Sequence, residues 1–274
     1  MFEVLRYIQV CVPLQKLVKE YLPLFLSKRI NPEIGIDGET MDSFSRKDFQ
    51  KIASILHGEG LIITLHGPFY DLVPGGIDKK MLEATRERLG QAFDLIPVFA
   101  PRSIVCHTGY DKKRYHDTQD EWLENSVNTW SLLLNNLERT DTTLVIENVY
   151  EQTPTMLLKL LKRLEGEKVG FCFDVGHMNA FSTTAMQDWL NVMGPFLKQI
   201  HLHDNDGSWD DHMAIGRGNI DFEILFEYLQ SCSELPILTV EAHDEPSLWQ
   251  SVDTLSRSTS FRRALCLEPP SHQL

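Results

Sequence analysis

Eight short apolar runs recur along the chain, at 7–12, 33–36, 61–65, 103–106, 143–146, 169–173, 198–202 and 237–240. Each has strand length, and the segments between them carry apolar residues at i, i+3, i+4 and i+7. LQKLVKEYLPLFL, KKMLEATRERLGQAFDLI, WLENSVNTWSLLLNNL, TMLLKLLKRL and FEILFEYL are clear examples of this helical period. Strands and helices in strict alternation predict a parallel sheet with right-handed crossovers. Eight such units close most simply into a (β/α)8 TIM barrel, although an open doubly wound sheet leaves the same local pattern. Asp42, Ser45, Thr153 ahead of Pro154, and Asp221 are expected N-caps, with Gly60 and Gly166 as helix stops. No internal repeat beyond the βα unit and no low-complexity linker divides the chain. One domain is expected over 1–268, with a frayed tail over 269–274.

The ends of these runs carry the chemistry. The third ends at His66, the fourth at His107 and the fifth at Glu147. The sixth ends at Asp174, with His177 three residues on, and the seventh reaches His201, with Asp210 and His212 in the loop beyond. The eighth ends at Glu241. A single carboxylate or imidazole there reads as a cap, a salt bridge or a hydrogen-bonded neighbour. Glu147, Asp174, His201 and Glu241 at corresponding positions are different, because crowded buried carboxylates require a cation. Imidazole nitrogen together with carboxylate oxygen suits Zn, Mn, Co or Fe. His66, His107, His177, Asp210 and His212 form a second tier, strengthened by the D-x-x-H and D-x-H spacings. His203 is expected to face away from His201 and is left out of the set. His57, His116, His243 and His272 carry no pattern and are expected on the surface.

Composition changes this picture little. An apolar content of 42% and a charged content of 24% suit a folded domain with a full core. The net charge of −13 disfavours non-specific binding to nucleic acid or an anionic membrane. No run approaches the roughly 20 apolar residues of a membrane span, and charged residues interrupt the N-terminal segment. Five cysteines without paired spacing fit a reduced, cytoplasmic setting.

LHGPF, HTGY, IENV, FDVGH, IHLHDND followed by DHMAIGRGNIDF, and TVEAHD resemble the xylose-isomerase-like TIM-barrel superfamily. Its branches include sugar isomerases and epimerases and the apurinic endonuclease IV family. In the sugar branch the resemblance implies one divalent ion on Glu147, Asp174, His201 and Glu241, with the two glutamates as an acid/base pair. In the endonuclease branch it implies three zinc ions on those four together with His66, His107, His177, Asp210 and His212. The chain departs from the nuclease wording: His203-Asp204-Asn205-Asp206 stands for N-D-S-K, and Gly216-Arg217-Gly218 for G-E-G. Arg217 would then sit at the rim, where a guanidinium grips phosphate or carboxylate. The resulting expectation is an isomerase or epimerase of a small sugar, sugar phosphate or polyol ketone, using one to three Zn, Mn or Co ions. His177 and Arg217 would position substrate oxygens, with a rim salt bridge the alternative for Arg217; Phe69, Tyr70 and Trp209 either wall the pocket or serve as core or surface packing. The rival is a multinuclear phosphodiesterase acting on abasic DNA, for which Lys112, Lys113 and Arg114 would touch the backbone; such a run more often reads as a solvated turn. A non-catalytic binding barrel is the third reading. All leave room for a homo-oligomer.

Overall fold

A computed structural model describes residues 3–164, 166 and 168–267. Eight parallel strands close into a barrel in sequence order, β1 pairing with both β2 and β8. They are β1 (Ile8–Pro13), β2 (Asn31–Gly35), β3 (Thr64–His66), β4 (Ser103–His107), β5 (Thr143–Glu147), β6 (Val169–Asp174), β7 (Leu197–Leu202) and β8 (Ile237–Val240). Closure decides between the two folds that the local pattern permits, since it leaves no sheet edge.

Side chains alternate along each strand, so every second residue faces the surrounding helices. Ile34, Leu65, Ile104, Leu144, Phe171, Ile200 and Leu238 take that outward face and are buried in the main core. Helices cover them with large side chains, among them Phe93, Phe99, Trp122, Trp130 and Trp189, all fully buried. The opposite parity faces the barrel interior. There Val105, Val145 and Cys172 form a small separate apolar cluster. Below it, Ser103, Gln199, Thr64, Thr239 and Glu33 hydrogen-bond together. Above it stand the polar strand ends.

Local signals account for most boundaries. Ser45 and Asp48 form a capping box on the helix Arg46–Gly58, and Asp221 caps Phe222–Gln230. Gly60 follows the first of these with φ 66, a left-handed stop. Gly166 lies beyond the end of Thr155–Arg163. Two expected caps differ. Asp42 lies within the helix Gly38–Ser43 and pairs with Arg88, because Asp37 caps that helix. Pro154 occupies the cap position of Thr155–Arg163, so Thr153 falls one residue too early. The first helical stretch is interrupted by a π turn at Leu17–Tyr21. The tail expected from 269 and His272 lie outside the described residues. All five cysteines are free. Among the described residues no helix is long and apolar enough to cross a membrane.

Candidate metal centre

His66, His107, Glu147 and Asp174 are the last residues of β3, β4, β5 and β6; His201 is next to last in β7, and Glu241 follows β8 directly. The ladder pairs His107 with Glu147 and Asp174 with His201, so donors on adjacent strands stand side by side. Their shared parity turns them inward. Asp174 also caps the helix Val175–Phe181, accepting the His177 N–H at 2.6 Å, which brings the His177 ring over the same mouth. Asp210 and His212 descend from the loop after β7. The φ of His212 is 49, a left-handed conformation rarely adopted outside glycine.

All nine expected donors therefore meet. Glu147 Oε2 lies 3.2 Å from Nε2 of both His66 and His107, and its Oε1 lies 3.1 Å from His177 Nδ1. His201 Nδ1 stands 3.5 Å from Glu147, 3.7 Å from Asp174 and 3.2 Å from Glu241. Asp210 Oδ2 lies 3.2 Å from His177 and 3.1 Å from His212. Donor atoms of His66, His107 and Glu147, and those of Glu147, Asp174 and His201, fall within 4.8 Å of one another. So do those of His66, His201 and Glu241.

Charge is balanced locally by these contacts. Burial opposes ionisation of Glu147, yet His107 and His201 beside it hold its carboxyl well below the usual range. Burial likewise opposes ionisation of Asp174, and His177 and His203 overcome it. Glu241 is lowered, against its burial, by His201 and His212. Burial works against the proton on His212, but its bond to Asp210 raises the ring to about 8. His107 is lowered, its burial outweighing Glu147. The donor set suits a borderline divalent cation. His201 Nδ1, His212 Nδ1 and Asp210 Oδ1 are buried without hydrogen-bond partners, a deficit that a cation beside them would relieve.

The cluster forms the floor of a cavity of about 760 Å³. His66, His107, Glu147, His177, Asp210, His212 and Glu241 line it, while Asp174 and His201 lie just beneath, fully buried. Phe69 and Tyr70 also line it, Phe69 stacking on His107 at 4.5 Å. Trp209 is outside the lining and packs edge-on against Phe181. Arg217 is exposed on the loop after β7 and does not line the cavity. The cations that do are Lys16 and Arg114. Lys112 and Lys113 are exposed beside Arg114, as are His57 and His116 elsewhere. His243 is exposed as expected, but it lines the cavity and stacks on His212 at 4.4 Å.

His203 corrects the sequence reading. Residues two apart on a strand share a face, so His203 points inward with His201. It is fully buried, with Nε2 3.1 Å from both carboxylate oxygens of Asp174. Glu33 opens the apolar run at 33–36 and is not among the expected donors. It is fully buried and accepts bonds from Thr64, Gln199 and Thr239, while its Oε1 approaches His201 Nε2 to 3.0 Å. Asn148 clamps the end of β6, donating to the Asp174 carbonyl and accepting the Asp174 N–H, both at 2.9 Å. The inward parity of Glu33 and His203 was the signal available for both.

The model of the xylose isomerase-like TIM barrel matches residues 33–261. The chain belongs to this family. Among curated relatives, the uncharacterized protein MJ1311 of Methanocaldococcus jannaschii is 28% identical over 186 residues. That match covers 65% of this chain and 64% of MJ1311, just under two thirds of the relative. Two solved structures share the fold at 23% identity, each match covering 90% of this chain and 96% of the other. One is a D-tagatose 3-epimerase-like protein, with a TM-score of 0.74. The other is the TTHB071 protein of Thermus thermophilus, from crystals soaked in zinc chloride, with a TM-score of 0.77.

Proposed function

We propose that the protein is a divalent-metal-dependent isomerase or epimerase of a small sugar, sugar phosphate or related polyol ketone. One observation carries this reading: Glu147 from β5 and Glu241 from the end of β8 both line the floor of one cavity and approach the same nitrogen, His201 Nδ1, at 3.5 and 3.2 Å. With a substrate carbon between them, two such carboxylates would be equipped to remove a proton and return one. Glu147, Asp174, His201 and Glu241 would hold the ion, Zn, Mn or Co. When bound, it supplies Lewis-acid polarisation of a substrate carbonyl. Glu147 and Glu241 would move the proton at the adjacent carbon. His177, on the cavity wall, would orient a substrate hydroxyl, and Arg114 or Lys16 would meet a substrate phosphate. Phe69 and Tyr70 would exclude water from that side. The sugar-epimerase likeness of a solved relative supports the substrate class.

A second reading is favoured by the donors beyond the core four. His66 and His107 converge on Glu147, while His177 and His212 converge on Asp210. That arrangement suits two further ions and phosphodiester hydrolysis.

Isotope exchange separates the readings. With the metal restored, ketoses, ketose phosphates and inososes incubated in deuterated water should gain deuterium beside the carbonyl. Glu241→Gln should abolish that exchange while metal is retained. Metal-dependent nicking of an abasic duplex, with no exchange on any sugar, would replace the isomerase by the phosphodiesterase.

A further inference from the structure

We infer that His203 is a positioning residue for the metal centre, fixing the Asp174 carboxylate and the His212 ring in one rigid unit. The inference rests on the metal-binding reading above and concerns a side chain that reading does not use. His203 Nε2 lies 3.1 Å from each oxygen of Asp174, so one N–H bridges both. The His177 backbone N–H holds Oδ1 from another direction at 2.6 Å. Two donors on different elements fix the rotation of the carboxylate, as outer partners of metal-binding side chains commonly do.

The other face of the same ring sets a second donor. His203 and His212 stack with centroids 3.9 Å apart and planes 4° from parallel. His212 sits on a long loop in a left-handed conformation, and this stack restrains its ring together with Asp210, 3.1 Å from its Nε2, and the stacked His243. His203 thereby links the donor at the end of β6 to the donor on the loop after β7.

The backbone has been cleared for this ring. A Cβ on Gly176 would lie 1.9 Å from His203 Cε1, a distance no side chain tolerates. Gly176 stands two residues after Asp174, at the start of the helix that Asp174 caps. The FDVGH motif therefore supplies both a carboxylate and the space for the imidazole that orients it. Nδ1 of His203 lies 3.6 Å from Asp210 Oδ1, too far for a hydrogen bond, so Asp174 and the stack set the ring's position.

Metal affinity and stoichiometry test the role without reference to turnover. Zinc affinity is measured by competition with a chromophoric chelator, metal content by elemental analysis, and the cobalt absorption spectrum is recorded for each protein. His203→Phe keeps a flat ring against His212 but has no N–H; His203→Gln can reach Asp174 with an amide N–H. His203→Phe should bind the same number of ions with affinity about 10- to 100-fold weaker and an altered cobalt spectrum. His203→Gln should recover much of that loss. Should His203→Phe fail to fold, His203→Asn, whose amide is too short to reach Asp174, should show the same weakening relative to His203→Gln. Unchanged affinity in the Phe or Asn variant overturns the inference. Loss of one whole equivalent also overturns it, making His203 a ligand. A wild-type protein that binds no divalent ion overturns the metal reading itself, and this inference with it.

Discussion

Glu151 shows how a buried side chain beside the site carries its own pH dependence. It follows β5 by four residues, is 3% exposed, and accepts the Thr108 hydroxyl and the Val149 N–H. Burial pushes its carboxyl from 4.5 to about 7, with those two donors opposing only part of the effect. The folded value is above the unfolded one, so the neutral form favours the fold. That contribution is complete below about pH 4.5 and is lost as pH rises through about 7. Glu151→Gln should therefore exceed the wild type in unfolding free energy at pH 8, by up to about 3 kcal/mol. The difference should vanish near pH 4.5. Denaturant titrations at the two pH values check this, and parallel stability profiles would count against it. Glu33 and His203 teach a related point. Both types are visible in the chain, but Glu33 depends on partners 31 or more positions away, and His203 on Asp174, 29 positions away, as well as on His212 in the following loop.

Among the elements, β7 and its following loop do the most to assemble the centre. Asp204 receives N–H bonds from Gly216 and Gly218 at 2.9 Å on one carboxylate oxygen. Its other oxygen accepts from Asn205 and Ile220. Its backbone also exchanges two bonds with Met213, one residue after His212. The H-D-N-D and G-x-G wording thus folds the loop back on itself and presents Asp210 and His212. Asp204→Ala should leave the barrel intact, while amide exchange at Gly216, Gly218 and Ile220 accelerates and zinc binding through Asp210 and His212 weakens. Each hydrogen bond lost costs about 0.5–1.5 kcal/mol net, and several lost together are enough to loosen the loop locally. Unaltered exchange at those amides would mean that Asp204 is not the anchor.

For the molecule as a whole, metal binding at the cluster would couple to stability. An ion that binds only the folded state, at a concentration 100 times its dissociation constant, adds about 2.7 kcal/mol. For a domain of this size that raises the melting temperature by roughly 5–10 °C, and a chelator should reverse it. Calorimetry with zinc, manganese and cobalt measures the shift; no shift with any of them would remove the metal from the proposal. The chain by itself determined the alternating elements, the positions of the strands within a few residues, and the candidate donors at strand ends. Periodicity and residue type are local properties, and a polar residue closing an apolar run is conspicuous. Only the tertiary structure decided that the sheet closes, since closure is made by pairing β1 with β8 across most of the chain. Only it brought Glu33 and His203 to the centre and left Arg217 outside the cavity lining. Those outcomes depend on which face of a strand looks inward and on how a long loop folds back, and neither is fixed until the barrel is packed.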